Sequence, residues 1–476
     1  MELVAGIDSS TQSCKVVVRD LASGSLVREG RALHPGGTEV DPEAWWVALL
    51  SAVEDAGGIS DVCAMSIAGQ QHGMVVLDGG GNVIRPALLW NDFRSARASE
   101  ELIEHFGRAA LVGRTGSVPV ASFTATKLRW LRNNEPENAK RVAAVALPHD
   151  WLTWRLLGYG PRGVSPRGPD LSALTTDRSD ASGTLYWSPE NGTYDEEIVV
   201  WALGQLPKLP RLLAPSESAG TTVRGVASVI PQGIVVGAGA GDNAAAALGL
   251  GASTGDVVIS IGTSGTVFAV TDRAIADQSG TVCGFADATG HYLPLVATLN
   301  AARILDVVAD LLEVDHVQLG ELAQGATSGS AGLVLQPYFE GERTPNLPQA
   351  TATLFGMTLG STTRSNLARA AIEGMLCGLA DGLDALCTVG VEPRRILLIG
   401  GASSNVGVVK IAPQVFELPI TVPRRDEYVA NGAALQAGWA YQGEPLKWTH
   451  EVFASPDSDF QPRIRQQYDR YRLDQR

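Results

Sequence analysis

An aspartate at the mouth of a glycine-lined bend is the residue of this chain best placed to do chemistry. Asp242 follows Val235-Val236-Gly237-Ala238-Gly239-Ala240-Gly241 and precedes Asn243 and the run Ala244 to Ala247. The β-branched pair reads as a strand, the small residues as a tight bend, and the alanine run as a helix. A carboxylate there has glycines that let a ligand come close and a helix N-terminus that favours the ionised form. It could take a proton from a hydroxyl, or it could merely cap the helix. The stretch alone leaves both open. The helix end also predicts a lowered pKa and an ionised Asp242 at pH 7.

Polar groups recur at two other strand ends. Val62 to Ala68 reads as a buried strand that runs into Gly69-Gln70-Gln71-His72-Gly73, and Pro86 to Leu89 runs into Trp90-Asn91-Asp92-Phe93-Arg94. Amide, imidazole and carboxylate groups at such ends suit a ligand dense in hydroxyls. Taken alone, a histidine such as His72 is more often a satisfied structural residue than a ligand contact.

Two hairpins share one build. Leu3 to Asp8 and Lys15 to Val18 flank Ser9-Ser10-Thr11-Gln12-Ser13, and Val257 to Ile261 and Thr266 to Val270 flank Gly262-Thr263-Ser264-Gly265. Turns of small hydroxyl residues offer N–H and O–H groups to an anion, and an aspartate at the root, Asp8, can hold a cation. The repetition makes the two halves of the chain look like distant structural copies, with phosphates expected in the cleft between them. A third candidate contact is Gly400-Gly401-Ala402-Ser403-Ser404-Asn405, at the end of the buried run Arg395 to Ile399 and ahead of a helix. Paired glycines there let backbone approach a flat or charged ligand, or form an ordinary strand-to-helix turn.

The elements that must position these groups are those of an α/β protein. Asp41-Pro42 with Trp46, Leu49, Leu50 and Val53 predicts a capped packing helix. Residues 158 to 195, rich in Gly, Pro, Ser and Asp, read as loop. They contain Gly158-Tyr159-Gly160-Pro161-Arg162-Gly163, but Trp151 to Leu157 ahead of it reads as helix, whereas the dinucleotide fingerprint must follow a strand. No Gly-Lys pair exists for a Walker A loop, so a nucleotide must be held another way.

At 476 residues the chain exceeds one core, and two domains, 1–243 and 244–476, are expected, with a hinge near Gly249 to Gly255. A net charge of −14 argues against nucleic acid as a partner. No apolar run approaches a membrane span and no signal peptide is apparent, so no membrane partner is expected. Five scattered cysteines without a C-x-x-C pair suit a reducing compartment, which points to the cytoplasm. Asn191-Gly192-Thr193 then reads as a turn and not a glycosylation site.

Two further segments carry a resemblance. Ser122-Phe123-Thr124-Ala125-Thr126-Lys127-Leu128-Arg129-Trp130-Leu131-Arg132-Asn133-Asn134 resembles the first signature of the FGGY carbohydrate kinases, and Ala352 through Gly356-Met357, Asn366-Leu367 and Ala370 to Glu373 resembles the second. The resemblance implies two actin-like, ribonuclease-H-like domains with a nucleotide cleft between them, ATP and Mg2+ as cofactors, and phosphorylation of a small sugar or polyol. Within the family, Gln70 to Gly73, Trp90 to Asp92 and Thr176 to Thr184 are most similar to members that phosphorylate xylulose. By that likeness Asp242 is the base; Gln71, His72, Asn91 and Asp92 face the sugar; Asp8 assists at the metal and phosphate. Ser10, Thr11, Gly262, Thr263 and Ser264 then meet the phosphates, and Gly400, Gly401 and Asn405 the adenosine. Gln71 replaces the usual Met, and Ser10 the usual Gly. A kinase for ribulose, glycerol or a sugar acid, or an actin-like ATP-driven binding protein, is the alternative reading. Oligomeric state stays open, a homodimer included.

Overall fold

A computed structural model describes residues 2–472. Each half of the chain builds one seven-stranded mixed sheet, and the two sheets repeat one plan. In the first, Leu3–Ser9, Ser13–Asp20 and Leu26–Leu33 form an antiparallel meander, and Val62–Gly69 joins Leu3–Ser9 in parallel. In the second, Asp256–Ile261, Gly265–Ala269 and Tyr292–Thr298 repeat the meander, and Arg395–Ile399 takes the parallel place. These are the two hairpins that the β-branched runs predict. Ile7 pairs with both Val16 and Ile67, and apolar clusters on either side of the sheet bury the strand on both faces, as its unbroken apolar run requires.

The helices confirm the local signals. Asp41 caps Pro42–Asp55 by accepting from the Glu43 amide, and Asn405 caps Val406–Val415. The reading of 158 to 195 as loop throughout is corrected: Arg178–Ser182 is a short helix, capped by Asp177, whose carboxylate accepts from the Ser179 and Asp180 amides. Five residues are too few to display an apolar period, so composition masked it.

The two sheets share apolar cover. One cluster joins Phe123, Ala125 and Leu128 to Val258, Phe268 and Leu293. A late helix, Tyr428–Gln442, also returns to the first half and lies on Leu3–Ser9, Val62–Gly69 and Asp242–Gly249. Its approach allows no side chain: a methyl on Gly6 would stand 1.8 Å from the Ala430 carbonyl oxygen, and one on Gly432 1.9 Å from that of Ala245.

Candidate active site

Asp242 is the first residue of helix Asp242–Gly249, and Gly241 is the N-cap. Asp242 Oδ1 accepts from the Asn243 amide, one of the unpaired amides of the first turn, at 2.8 Å and from Asn243 Nδ2 at 3.0 Å. The bend before it is held from three sides. Gln436, buried on the late helix, donates Nε2 to the Gly239 carbonyl (2.7 Å) and accepts from the Gly239 amide (2.8 Å). The Gly241 amide donates to Ser179 Oγ at 3.0 Å. Gly239 has φ +86° and lies so close to His149 that a methyl would fall 2.2 Å from its Cδ2.

Asp242 opens on a cavity of about 300 Å³, lined from the first half by Thr11, Gln71, His72 and Trp90 and from the second by Ser260, Ser264 and Arg343. Gln71 donates Nε2 to the Ser179 carbonyl at 3.1 Å and packs against Gly241, where any side chain would collide with it. His72 adopts φ 69° and donates Nδ1–H to the Gly183 carbonyl at 2.5 Å, which leaves Nε2 as acceptor. Burial, with the nearby Lys127 charge, holds its pKa down to about 3, so the ring is neutral. Lys127 itself is fully buried and donates to the His72 and Ser122 carbonyls at 2.8 and 2.6 Å, fixing the turn that presents the imidazole.

The predicted ionisation of Asp242 is corrected. Burial, then repulsion from Asp8, raises its carboxyl from 3.8 to about 7. The helix end is outweighed because a low-dielectric site penalises the charged form more than one turn of dipole favours it. Such a group sits near the operating pH, where a general base works best. Asp8 is 4% exposed, accepts from Ser10 Oγ, and has Lys15 Nζ at 3.9 Å; burial lifts it to about 6. A desolvated carboxylate whose one cationic neighbour among the described residues stands 3.9 Å away is a ligand that suits a hard cation.

The remaining predicted residues are placed less uniformly. Thr11 accepts from Trp90 Nε1 at 2.8 Å. Asn91 and Asp92 follow Trp90 but do not line the cavity. Asn91 leaves its Oδ1 buried and unpartnered, while Asp92 accepts from Thr38 Oγ1 (2.8 Å) and from Arg94. Burial works against the ionised Asp92, and the Arg94 and Thr38 bonds outweigh it, keeping its carboxyl below the usual range. The turn Gly262-Thr263-Ser264 brings Ser264 to the cavity. Gly400, with φ +97°, packs on the Ile261 carbonyl that leads into this turn, where a methyl would stand 2.5 Å away. Asn405 uses Oδ1 to cap its helix and Nδ2 to bond the His316 carbonyl at 2.6 Å.

Behind the bend lies a group the sequence reading missed. His149 and Asp180 are fully buried; His149 Nδ1 meets Asp180 Oδ2 at 2.5 Å, and Nε2 lies 3.3 Å from Asp150 Oδ1. Burial alone would lower the imidazole, but Asp150 and Asp180 together raise it to about 10, so it stands charged between two carboxylates. These three donors lie within 4.8 Å of one another, the one such cluster among the described residues. The imidazolium already supplies the cation that the acids need.

Residues 3–249 match the N-terminal domain of the FGGY family of carbohydrate kinases, and residues 257–441 match its C-terminal domain. The chain belongs to this family: it is a sugar kinase, a phosphotransferase of actin-like, ribonuclease-H-like fold from a family that uses ATP. It is 44% identical over 449 residues to the xylulose kinase of Streptomyces rubiginosus, covering 93% of this chain and 89% of that one. With the xylulose kinase of Haemophilus influenzae it shares 30% over 477 residues, 95% and 94% of the two chains. The crystal structure of xylulose kinase from Bifidobacterium adolescentis superposes with a TM-score of 0.91 at 45% identity, covering 98% of this chain and 99% of that one. No helix among the described residues is long and apolar enough to cross a membrane.

Proposed function

We propose that this sugar kinase transfers the γ-phosphoryl group of ATP to D-xylulose, giving D-xylulose 5-phosphate. The observation that carries the reading is one cavity holding Asp242, Gln71 and His72 in a chain whose relatives, at up to 45% identity over nearly its whole length, are xylulose kinases. Asp242 orients the attacking hydroxyl and takes its proton late, a task for which a carboxyl titrating near 7 is suited. His72 accepts from a sugar hydroxyl through Nε2, and the Gln71 carbonyl, with its amide nitrogen already bonded, accepts from another. Asn91 and Asp92, outside the cavity lining, would serve the sugar side through the turn that follows Trp90, whose indole lines the cavity.

Asp8 would hold Mg2+, which neutralises charge on the phosphates when bound, with Ser10 and Thr11 beside it. The Gly262-Thr263-Ser264 turn would donate to the phosphates. Gly400 and Gly401 would give the adenosine a flat approach, with Asn405 securing the helix behind them. Little covalent chemistry falls to the protein in phosphoryl transfer, so placing these groups and excluding water supply most of the rate. Closure about Gly249 to Gly255 would provide that exclusion. It predicts a more compact scattering profile with xylulose and a non-hydrolysable ATP analogue, and an unchanged profile would refute it.

The test is ADP release with ATP and Mg2+ against D-xylulose, L-xylulose, D-ribulose, L-ribulose, glycerol and gluconate, with a blank. A clear preference for D-xylulose is expected. Preference for another sugar would keep the kinase and overturn the substrate, and release independent of every sugar would indicate an ATP-driven binding protein.

A further inference from the structure

One buried residue touches both the bend that carries Asp242 and a side chain that lines the cavity. Ser179, on the short helix Arg178–Ser182, accepts from the Gly241 amide on Oγ at 3.0 Å, and its carbonyl accepts from Gln71 Nε2 at 3.1 Å. Gly241 immediately precedes Asp242, and a methyl on it would stand 2.8 Å from Gln71 Cγ, so Ser179, Gly241 and Gln71 form one packed corner. The polarity of that corner is set from behind. The Asp177 carboxylate, 3% exposed, accepts from the Ser179 hydroxyl at 2.6 Å and from the Ser179 amide at 2.8 Å. A hydroxyl has one proton, and with that proton committed to a carboxylate only lone pairs are left for the Gly241 amide.

A helix of five residues does not hold itself in water, so its neighbours must fix it. They come from both halves of the chain. Ser182 Oγ donates to the Ser179 carbonyl at 2.6 Å and accepts at 3.1 Å from the amide of Ala286, which ends strand Cys283–Ala286 of the second sheet. Ala181 packs with Trp187 and Ala286, and the Ala125 amide donates to the Thr184 carbonyl at 3.0 Å. Gly241, by contrast, is an N-cap, and its amide has no partner inside its own helix. The Ser179 hydroxyl supplies that partner, and without it the residue from which Asp242 follows loses a restraint. The Gln71 bond differs in kind: it ends on a backbone carbonyl, which no substitution of the serine side chain removes.

We infer that Ser179 is a positioning residue whose hydroxyl sets the Asp242 carboxylate against the attacking hydroxyl of the sugar that Gln71 holds. The inference rests on Asp242 as base and Gln71 as sugar contact, and it deepens that reading. The experiment compares Ser179→Ala and Ser179→Cys with the unsubstituted enzyme and with Asp242→Asn, using D-xylulose or whichever sugar the unsubstituted enzyme prefers. Calorimetry with a non-hydrolysable ATP analogue counts the competent sites, so that kcat is read per folded site. In Ser179→Ala, kcat per site should fall about 10–100-fold, the scale of a misplacement of about 1 Å at the reacting atoms. KM for the sugar should move less than about threefold, because the carbonyl that holds Gln71 is kept. Ser179→Cys, with sulfur as a weaker acceptor, should lie between the two. A loss accounted for by fewer competent sites, a loss carried by KM, or unchanged kinetics would each overturn the inference. If Ser179→Ala does not fold, Ser179→Cys decides on the same terms. Full turnover in Asp242→Asn would refute the base and the inference with it, whereas lost turnover there beside unaltered Ser179 variants would refute the positioning role alone. Preference for another sugar overturns the xylulose reading and leaves Ser179 to be decided by the same split between kcat and KM.

Discussion

Replacing the proposed base should make the protein more stable while it destroys turnover. Asp242 rises from 3.8 to about 7 on folding, a change of about three pH units. At about 1.4 kcal/mol per unit, the ionised form costs the fold up to about 4 kcal/mol. The side chain is not fully shielded, because it opens on the cavity, and water there relieves part of the burial. About 2 kcal/mol is therefore the expected penalty, or about 4–8 °C in Tm for a domain of this size. The sign follows from proton binding. The folded carboxyl holds its proton more tightly than the unfolded one, so stability falls as pH rises from about 4 to about 7, and the penalty is complete above that. Asp242→Asn carries no charge to bury and also relieves Asp8. It should melt several degrees above the unsubstituted protein at pH 8, with most of that advantage gone at pH 4. Turnover, followed by ADP release, should fall by about 10²–10⁴-fold with sugar binding largely kept. A Tm advantage equal at both pH values would refute the electrostatic argument, and retained turnover would refute the base.

Three further outcomes are expected. In the unsubstituted enzyme kcat/KM should drop about tenfold per pH unit below pH 7 as Asp242 takes up its proton, and a profile flat down to pH 5 would contradict this. His149→Leu should cost about 3–5 kcal/mol in denaturant unfolding, because Asp150 and Asp180 lose their buried counter-charge. The contribution of His149 is full below its unfolded value of 6.5 and lost as pH rises through about 10, so a deficit equal at pH 6 and pH 10 would exclude an imidazolium. Gly432→Ala should depress Tm strongly or prevent folding, since the added methyl meets backbone at 1.9 Å, whereas Gly443→Ala, with nothing within 4 Å but φ +81°, should cost about 1 kcal/mol.

Much of this arrangement is legible in the sequence because its signals are local. The apolar runs of both hairpins, the Asp41 cap, and the bend before Asp242 are each written in a few consecutive residues. What stayed hidden depends on partners far apart in the chain. Gln436 grips Gly239 across 197 positions, and Glu342 orders the Arg343 loop through Leu299, 43 positions away. No local pattern encodes either. The ionisation of Asp242 failed for the same reason: its own helix end is visible from the sequence, while Asp8 and the enclosing core are not. His149 lies just ahead of a segment that reads only as helix, and its partner Asp180 sits in one that reads as loop, so nothing marked the pair until folding joined them.

The late helix Tyr428–Gln442 also bears on how this protein comes into being. A ribosome delivers Leu3–Ser9 and Val62–Gly69 early, yet the cover for Val4 and Ala64, formed by Ala430, Ala434 and Ala437, is translated more than 360 residues later. The nascent first half must wait with an apolar face open, a natural client for chaperones during elongation. A gene split between the two family segments would likewise yield an amino-terminal fragment lacking its lid, and fragment complementation should succeed only when both pieces are made together.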